Sequence, residues 1–162
     1  MRIYLIGMPG SGKSSVGKKL ANKINYQYID MDEYIENKLN KKIPLIFSED
    51  GEAYFRLKEK EVLNDFLSLD NVIISTGGGV IKDKSNKDLM NGKIIFIDVD
   101  LSILENRLKN DNTRPLLKVK TVKELYDERI DNYKYFYNLK VENIKVDDCV
   151  NDIIKELGLW MF

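Results

Sequence analysis

Short apolar runs rich in β-branched residues recur along the chain and predict buried strands. The runs from Ile3 to Ile6, from Val72 to Ile74 and from Ile94 to Ile97 do not alternate with polar residues. A strand with one face in water would alternate, whereas a strand covered on both faces forms a continuous apolar run. Two weaker strands are predicted at Tyr26 to Asp30 and at Val141 to Val146. The pattern favours a parallel sheet that is covered on both faces.

The stretches between these strands carry apolar residues at helical spacing. Strand and helix alternate along the chain, which is typical of an α/β fold with right-handed crossover connections. We therefore predict a single domain built of strand–helix–strand units over residues 1–162. The predicted helices span 13–24, 31–40, 52–68, 82–91, 101–110, 121–138 and 149–158.

The composition removes several classes of function. The 162 residues carry 26 Lys plus Arg and 26 Asp plus Glu, so no overall basic charge favours nucleic acid. The chain has no histidine and one cysteine, Cys149, which excludes Ser-His-Asp systems, His-based zinc sites and an intrachain disulfide. Since no run approaches the ~20 apolar residues of a membrane span, we expect a cytoplasmic protein without membrane or nucleic-acid partners.

The strongest motif follows the first predicted strand directly. Residues 7–14 read Gly-Met-Pro-Gly-Ser-Gly-Lys-Ser and match G-x-x-x-x-G-K-[ST] at every fixed position, just before a predicted helix. Glycines let such a loop turn its backbone N–H groups around phosphate, and the helix N-terminus adds partial positive charge. We expect Lys13 to reach the β- and γ-phosphates and the Ser14 hydroxyl to join a Mg²⁺ shell. The motif predicts a nucleoside triphosphate site.

The rest of the chain narrows the class of nucleotide-binding protein. Guanine specificity would normally show an N-K-x-D element, which neither residues 22–25 nor residues 86–89 supply. Motors and large ATPases need a transducing domain, for which 162 residues leave little room beside a nucleotide-binding core. A compact small-molecule kinase is therefore favoured.

Two further segments lie where parallel strands are predicted to end. Asp30 and Asp32 follow the second predicted strand, at the edge where α/β sheets place their ligands. One carboxylate could serve a metal and the other a substrate hydroxyl, or the pair could simply cap a helix. Gly77, Gly78 and Gly79 follow the third predicted strand and suit either an anionic ligand close to backbone amides or a tight turn. The residues alone leave these alternatives open.

Taken together, these motifs resemble the shikimate kinase family over essentially the whole chain. The resemblance implies a three-layer P-loop α/β fold with a central five-stranded parallel sheet. It also implies transfer of the γ-phosphoryl of ATP to the 3-hydroxyl of shikimate, with Mg²⁺ as cofactor. The motifs, in the family's order, are the phosphate loop at 7–14, Asp30-Met31-Asp32, Gly51-Glu52-Ala53-Tyr54-Phe55-Arg56, Ser75-Thr76-Gly77-Gly78-Gly79, Arg114-Pro115-Leu116-Leu117 and Arg129-Ile130-Asp131-Asn132-Tyr133.

The resemblance further implies roles for individual residues. The expected catalytic residues are Lys13, Asp32 and Arg114, with Asp32 at the substrate hydroxyl, and the expected metal-side residues are Ser14 and Asp30. The nucleotide is expected to contact Gly10, Ser11, Gly12, Lys13, Ser14, Ser15, Arg107 and Arg114. Shikimate is expected to contact Asp32, Arg56, Gly77, Gly78, Gly79, Arg129, Phe47, Phe55 and Glu59. Phe47 and Phe55 could equally belong to the core.

The choice of arginine for the two carboxylate-binding positions agrees with the chemistry. A guanidinium offers a planar fork that matches a carboxylate, and an ammonium does not. Only five of the 26 basic residues are arginines, the other 21 being lysines. Finding arginine at both Arg56 and Arg129 is therefore informative.

Two segments are expected to serve binding and closure. Residues 31–60 would bind the substrate, and the polar segment 109–120 would form a mobile lid that closes over the phosphates and excludes water. One region departs from the family pattern, because the adenine loop after the last strand usually carries a proline. The stretch from Val146 to Asp152 is shorter and has none, so adenine contacts there are not implied.

Two other functions stay compatible with the phosphate loop. One is another small-molecule kinase of the same fold, such as a gluconate kinase, although Arg56, Arg129 and the glycine triplet favour a carboxylated polyol. The other is a non-catalytic ATP-binding sensor, against which stands the presence of Lys13, Asp32 and Arg114. We expect a monomer whose partners are ATP and shikimate.

Overall fold

Five strands form one parallel sheet in the computed structural model, which describes residues 1–109, 117 and 120–160. Every neighbouring pair of strands is parallel, as predicted. The chain runs from the central strand to one edge and then crosses to the other, so the strand order reverses at the centre. The carboxyl ends of central strands at such a reversal are where α/β sheets bind ligands. The strands are β1 (Arg2–Ile6), β2 (Gln27–Asp30), β3 (Val72–Ser75), β4 (Lys93–Asp98) and β5 (Leu139–Glu142), in the order β2-β3-β1-β4-β5.

Helices cover both faces of the sheet and complete the three layers. The first and last helices pack on one face, and the others contribute to the opposite face. No helix within the described residues has the length and apolarity needed to cross a bilayer. The helices are α1 (Lys13–Ile24), α2 (Met31–Leu39), α3 (Ile43–Glu49), α4 (Glu52–Phe66), α5 (Asn86–Leu89), α6 (Leu101–Leu108), α7 (Val122–Phe136) and α8 (Val146–Leu157), with a 3₁₀ turn at Val80–Lys82.

The central strand shows why its sequence is continuously apolar. Ile3 and Leu5 point to the face covered by α1 and α8, whereas Tyr4 and Ile6 point to the face covered by α4 and α7. All four side chains are buried. Because strand side chains alternate between faces, a strand in the middle layer needs apolar residues at every position.

The structure adds one helix that the sequence analysis missed. α3 occupies residues that carried no predicted element, and Pro44 lies in its first turn. Proline suits this place, since the first N–H groups of a helix have no intrahelical partner. The helix is seven residues long, too short for a clear apolar period.

Three predicted elements have clearly different bounds. The predicted helix over 82–91 is wrong over most of its length. Residues 80–82 form the 3₁₀ turn, the Asp83 side chain accepts the Ser85 N–H at 2.9 Å, and α5 covers only residues 86–89. The predicted last strand, Val141 to Val146, begins and ends too late, because its pairing with β4 places the strand at residues 139–142. α8 accordingly begins at Val146 rather than at Cys149.

Candidate active site

The phosphate loop connects β1 to α1 at the carboxyl edge of the sheet. Gly10 and Gly12 have φ of +78° and +87°, a region that favours glycine. Lys13 folds back over the loop, and its Nζ donates to Gly7 O at 2.9 Å and to Met8 O at 3.2 Å. A cleft of about 730 Å³ lies against the loop, lined among others by Gly10, Gly12, Lys13, Ser14, Ser15, Asp30, Asp32 and Arg107. Most of the predicted nucleotide residues thus share one cleft. The Ser11 side chain is buried and does not line it, and Arg114 lies outside the described residues.

Asp30 links the phosphate loop to α2. Its Oδ1 accepts the Glu33 N–H at 3.1 Å and caps α2, while its Oδ2 accepts a hydrogen bond from the Ser14 hydroxyl at 3.4 Å. Asp30 therefore combines the capping role with a place beside the loop. A hydroxyl and a carboxylate are the hard oxygen ligands that suit Mg²⁺. The described residues hold no group of three or more potential Asp, Glu, His or Cys ligands.

A second cavity of about 380 Å³ adjoins the phosphate cleft. The two spaces share Pro9, Asp32, Glu36 and Gly78. Asp32 therefore lies where a group bound in one space would face a group bound in the other. The second cavity is lined by Pro9, Asp32, Glu36, Ile43, Pro44, Phe47, Phe55, Arg56, Glu59, Gly77, Gly78, Gly79, Leu117, Leu125 and Arg129.

Arg56 enters this cavity from α4. Its Nη1 donates to Glu59 Oε1 at 2.6 Å and its Nη2 to Glu52 Oε1 at 3.3 Å. The guanidinium lies directly over Gly79, where an added Cβ would come within 2.6 Å of Arg56 Cζ. The φ of Gly79 is −95°, which any residue can adopt. The missing side chain of Gly79, and not its backbone conformation, therefore makes room for the guanidinium.

Arg129 reaches the cavity from α7 and is only 3% exposed. Among the described residues, its Nε and Nη1 find no hydrogen-bond partner. An added Cβ at Gly78 would lie 2.7 Å from Nη1, so the glycine lets the guanidinium approach the backbone. Because an unpaired buried charge is costly, these donors favour an anionic ligand.

Tyr133 supports Arg129 one helical turn further along α7. The phenol is fully buried, and burial raises the pKa of Tyr133 to about 12, against the opposing charge of Arg129. The hydroxyl therefore stays protonated and donates to Gly78 O at 3.4 Å. The ring also stacks on Phe96 of β4, with centroids 4.7 Å apart. Tyr133 thus connects the helix that carries Arg129 to the glycine triplet and to the sheet.

Glu59 is the buried acid of the cavity wall. It is 0% exposed, and burial raises the pKa of Glu59 to about 7, against the opposing effect of Arg56. Its Oε2 has no hydrogen-bond partner among the described residues. An added Cβ at Gly77 would lie 3.0 Å from Oε2 and 2.9 Å from Asp32 Oδ1. The three glycines therefore make room for four charged side chains, two carboxylates at Gly77 and one guanidinium each at Gly78 and Gly79.

Phe47 and Phe55 line the cavity and also pack in the core, which were the two alternatives that the sequence left open. The rings of Phe47 and Phe55 lie 4.9 Å apart, and both line the cavity. Phe55 is also buried in the main core cluster, and Phe47 packs against that cluster. They supply an apolar wall beside Arg56, whose Cζ lies 5.2 Å from the centroid of the Phe55 ring.

The sequence analysis missed several cavity residues. Glu36 and Pro44 belong to the junction of α2 and α3, where Glu36 Oε2 accepts the Ile43 N–H at 2.9 Å. The proline near the start of a helix was the available signal. Leu125 lies four residues before Arg129 on α7 and could have been found from helical spacing. The lining residues that were not individually named as site residues are Pro9, Glu36, Ile43, Pro44, Leu117 and Leu125, although Glu36, Ile43 and Pro44 lie within the predicted substrate-binding segment 31–60.

Arg107 contacts the phosphate loop itself. Its Nη1 donates to Gly10 O at 2.9 Å and its Nη2 to Asn143 O at 3.4 Å. Asn143, which the sequence analysis also missed, is buried and donates from Nδ2 to Ser11 O at 2.8 Å. Arg114 lies outside the described residues, as does most of the predicted lid over 109–120, of which the structure describes residues 109, 117 and 120.

Comparisons with known proteins identify the family of the chain. The family model described as shikimate kinase matches residues 9–157. Shikimate kinase of Aquifex aeolicus is 38% identical over 163 residues, covering 98% of this chain and 95% of the relative. A bifunctional shikimate kinase/3-dehydroquinate synthase of Thermotoga maritima is 41% identical over 147 residues, and the chain spans about 30% of its length.

The solved structures include a similar fold. Shikimate kinase from Acinetobacter baumannii in complex with shikimate superposes with a TM-score of 0.90 at 30% identity, over 97% of this chain and 92% of that one. The family predicted from six sequence motifs is thereby confirmed. The chain belongs to the shikimate kinase family.

Proposed function

We propose that the chain transfers the γ-phosphoryl of ATP to the 3-hydroxyl of shikimate. The observation that carries this proposal is the convergence of Arg56 and Arg129 on the glycine triplet, in a cavity that meets the phosphate cleft at Asp32. Two guanidinium groups beside an apolar wall suit a small, carboxylated acceptor. The shikimate complex of the Acinetobacter baumannii relative supports the same acceptor.

We propose that residues 31–60 are the acceptor-binding segment and form one side of the cavity. α2 contributes Asp32 and Glu36, α3 contributes Phe47, and α4 contributes Arg56 and Glu59. The other side of the cavity comes from the glycine triplet and from α7. We also propose that the enzyme is a monomer, which light scattering after gel filtration tests. We expect it to act in the cytoplasm, where ATP is abundant.

The phosphate cleft supports ATP as the donor. Its loop glycines, Lys13 and the first turn of α1 supply backbone N–H groups and positive charge for phosphate. Ser14 and Asp30 would hold Mg²⁺, which when bound helps neutralise the phosphate charge. Arg114 is proposed to add positive charge from the lid.

Transfer then requires alignment more than covalent chemistry. Arg56 and Arg129 would fix the carboxylate, which orients the ring and directs one hydroxyl towards the junction of the two spaces. Asp32 lies at this junction and would accept a hydrogen bond from that hydroxyl. It would take the hydroxyl proton as the new oxygen–phosphorus bond forms and the bond from the γ-phosphorus to the β–γ bridging oxygen breaks, with ADP as the leaving group. Lys13 would stabilise the charge on the transferred group. Closure of the lid would exclude water, which would otherwise accept the phosphoryl.

A coupled assay of ADP release tests the proposal. ADP should appear with shikimate and be poor or absent with gluconate, quinate and nucleoside monophosphates. Equal turnover with gluconate would move the chain to another small-molecule kinase. ADP binding without turnover of any acceptor would favour the sensor alternative.

A further inference from the structure

We infer that Asn143 is a positioning residue that holds the phosphate loop from behind in its phosphate-binding shape. This inference rests on the proposed binding of ATP by that loop. Asn143 directly follows β5 and is 2% exposed. Its side-chain Nδ2 donates to Ser11 O at 2.8 Å. Its own backbone N–H donates to Asp98 O at 2.9 Å, at the end of β4, so the amide is anchored to the sheet.

The hydrogen bond to Ser11 O sets the direction of the next N–H group. A trans peptide is planar, and its C=O and N–H point in opposite directions. Fixing Ser11 O on the buried side therefore turns the Gly12 N–H towards the opposite side. Gly12 lines the phosphate cleft, whereas Ser11 is buried. Asn143 thus directs a donor of the loop to where phosphate would bind.

The fit between Asn143 and Gly12 gives the motif glycine a second purpose. A Cβ at Gly12 would overlap Asn143 Nδ2. The glycine is therefore needed for its φ of +87° and also for the close approach of the amide. Loop and amide form one packed unit, so a change in either would move the other.

Arg107 holds the preceding peptide in the same way. Its Nη1 donates to Gly10 O at 2.9 Å, while its Nη2 donates to Asn143 O at 3.4 Å. Two consecutive loop carbonyls thus accept hydrogen bonds from donors on different elements, Arg107 at the edge of the cleft and Asn143 from the buried side. Asn143 is the buried member of this pair of donors.

The Asn143 side chain uses only its Nδ2 donor. This indicates that position 143 needs an asparagine for the hydrogen bond that it donates and not for its packing. Among the described residues, Asn143 Oδ1 has no hydrogen-bond partner. An unpaired buried acceptor is costly, and a leucine of similar volume would avoid that cost. Leucine would fill the space but leave Ser11 O without its donor. A leucine variant should therefore keep its stability but bind the nucleotide less tightly.

Asn86 offers a matched control. It is 3% exposed, its Nδ2 donates to Val80 O at 2.8 Å, and its Oδ1 also lacks a partner among the described residues. The two amides thus have the same burial and the same bonding to a backbone carbonyl. Only Asn143 contacts the phosphate loop.

The test compares Asn143→Leu, Asn143→Ala and Asn86→Leu with the wild type. Calorimetric titration with ADP gives the Kd, steady-state kinetics give separate KM values for ATP and shikimate, and hydrogen exchange reports on residues 7–15. For both Asn143 variants we expect the Kd for ADP to rise about tenfold, as for the loss of one buried hydrogen bond. The shikimate KM should stay within twofold, and exchange in the loop should become faster. Asn86→Leu should leave ADP binding and loop exchange unchanged.

The Leu variant keeps the test decisive if the Ala variant does not fold. An ADP Kd within twofold of wild type in folded Asn143→Leu would overturn the inference. Equal losses for ATP and shikimate, or the same ADP loss in Asn86→Leu, would overturn it too. Absence of ADP binding by the wild type would instead overturn the proposed function on which the inference depends.

Discussion

Arg56 donates from Nη1 to Glu59 Oε1 at 2.6 Å, three residues along α4, and the two side chains differ sharply in exposure. The glutamate side chain is 0% exposed and the arginine side chain 22%. Glu59 is therefore desolvated while Arg56 keeps its access to the cavity, with its Nε unpaired among the described residues. Glu59, together with Glu52 at 3.3 Å from Nη2, fixes the orientation of the guanidinium at the cavity wall.

The burial of Glu59 predicts how stability depends on pH. Burial raises the pKa of Glu59 from 4.5 to about 7. Between these values the folded state binds more protons than the unfolded state, so this group stabilises the fold at low pH and loses that effect as pH rises to 7. Glu59→Gln removes the titration. The stability of the wild type relative to this variant should therefore fall by up to ~3 kcal/mol between pH 4.5 and 7.

Urea denaturation of both proteins at closely spaced pH values measures this difference. Glu61→Gln is the matched control, because Glu61 lies on the same helix but pairs with Lys58 at the surface, at 3.0 Å. The plot of its unfolding free energy against pH should stay parallel to that of the wild type. A Glu59→Gln curve that also stays parallel would contradict the raised pKa.

Replacing either cavity arginine by lysine should weaken acceptor binding. Arg56→Lys and Arg129→Lys keep the charge but lose the planar pair of donors. We expect the KM for shikimate to rise tenfold or more, with the KM for ATP within about twofold. Kinetics with each substrate varied in turn measure both values. Lys60→Arg, on the exposed face of α4 and paired with Asp83, should change neither.

An equal rise in both KM values would contradict the division into two spaces. It would indicate that these arginines support the whole site instead of the acceptor cavity. Arg129→Lys is the more demanding variant, since Arg129 is 3% exposed. Its thermal unfolding must therefore be compared with that of Arg56→Lys.

Local sequence signals were sufficient to predict the sheet and the phosphate loop. The loop needs its glycines in fixed places, and a strand covered on both faces needs apolar residues throughout, as Ile3 and Leu5 illustrate. These requirements act within a few neighbouring residues, so a single sequence displays them. The assignment of Arg56 and Arg129 to the acceptor site came from the resemblance to the shikimate kinase family and not from local signals.

Other features arise from contacts between distant segments and leave little local signal. Asn143 and Ser11 are 132 residues apart along the chain, and nothing near Asn143 indicates that its amide meets the phosphate loop. The bounds of β5 follow from its register with β4, which pairs Leu139 with Ile95. α3 is too short to show an apolar period. Tertiary contacts, not local propensity, determine these three features.

A methyl group at Gly79 should disturb the acceptor site without unfolding the protein. Gly79→Ala places a Cβ within 2.6 Å of Arg56 Cζ. The backbone tolerates alanine at a φ of −95°, and the guanidinium is the far end of a flexible side chain, so Arg56 would move. We expect the shikimate KM to rise about tenfold, since the displaced arginine loses its alignment. Kinetics and thermal unfolding together measure this.

Gly158→Ala is the control variant, for which we expect a loss of stability without a change in substrate binding. Gly158 caps α8 with a φ of +64°, and an added Cβ there meets open space. This variant should lose about 1 kcal/mol of stability through backbone strain while keeping both KM values. A Gly79→Ala variant that behaves like Gly158→Ala would show that Arg56 does not depend on the glycine.

The last prediction separates the two aspartates at the start of α2. Asp32 lies at the junction of the phosphate cleft and the acceptor cavity, whereas Asp30 faces the Ser14 hydroxyl. Asp32→Asn nearly preserves shape but removes the charge and the capacity to accept a proton, so kcat should fall by about 10² or more with ADP binding intact. Asp30→Asn should chiefly raise the Mg²⁺ concentration needed for half-maximal activity. Rates over a Mg²⁺ series, with ADP titrations at saturating Mg²⁺, distinguish the two. If Asp32→Asn instead loses ADP affinity at normal saturated turnover, the roles of the two carboxylates are reversed.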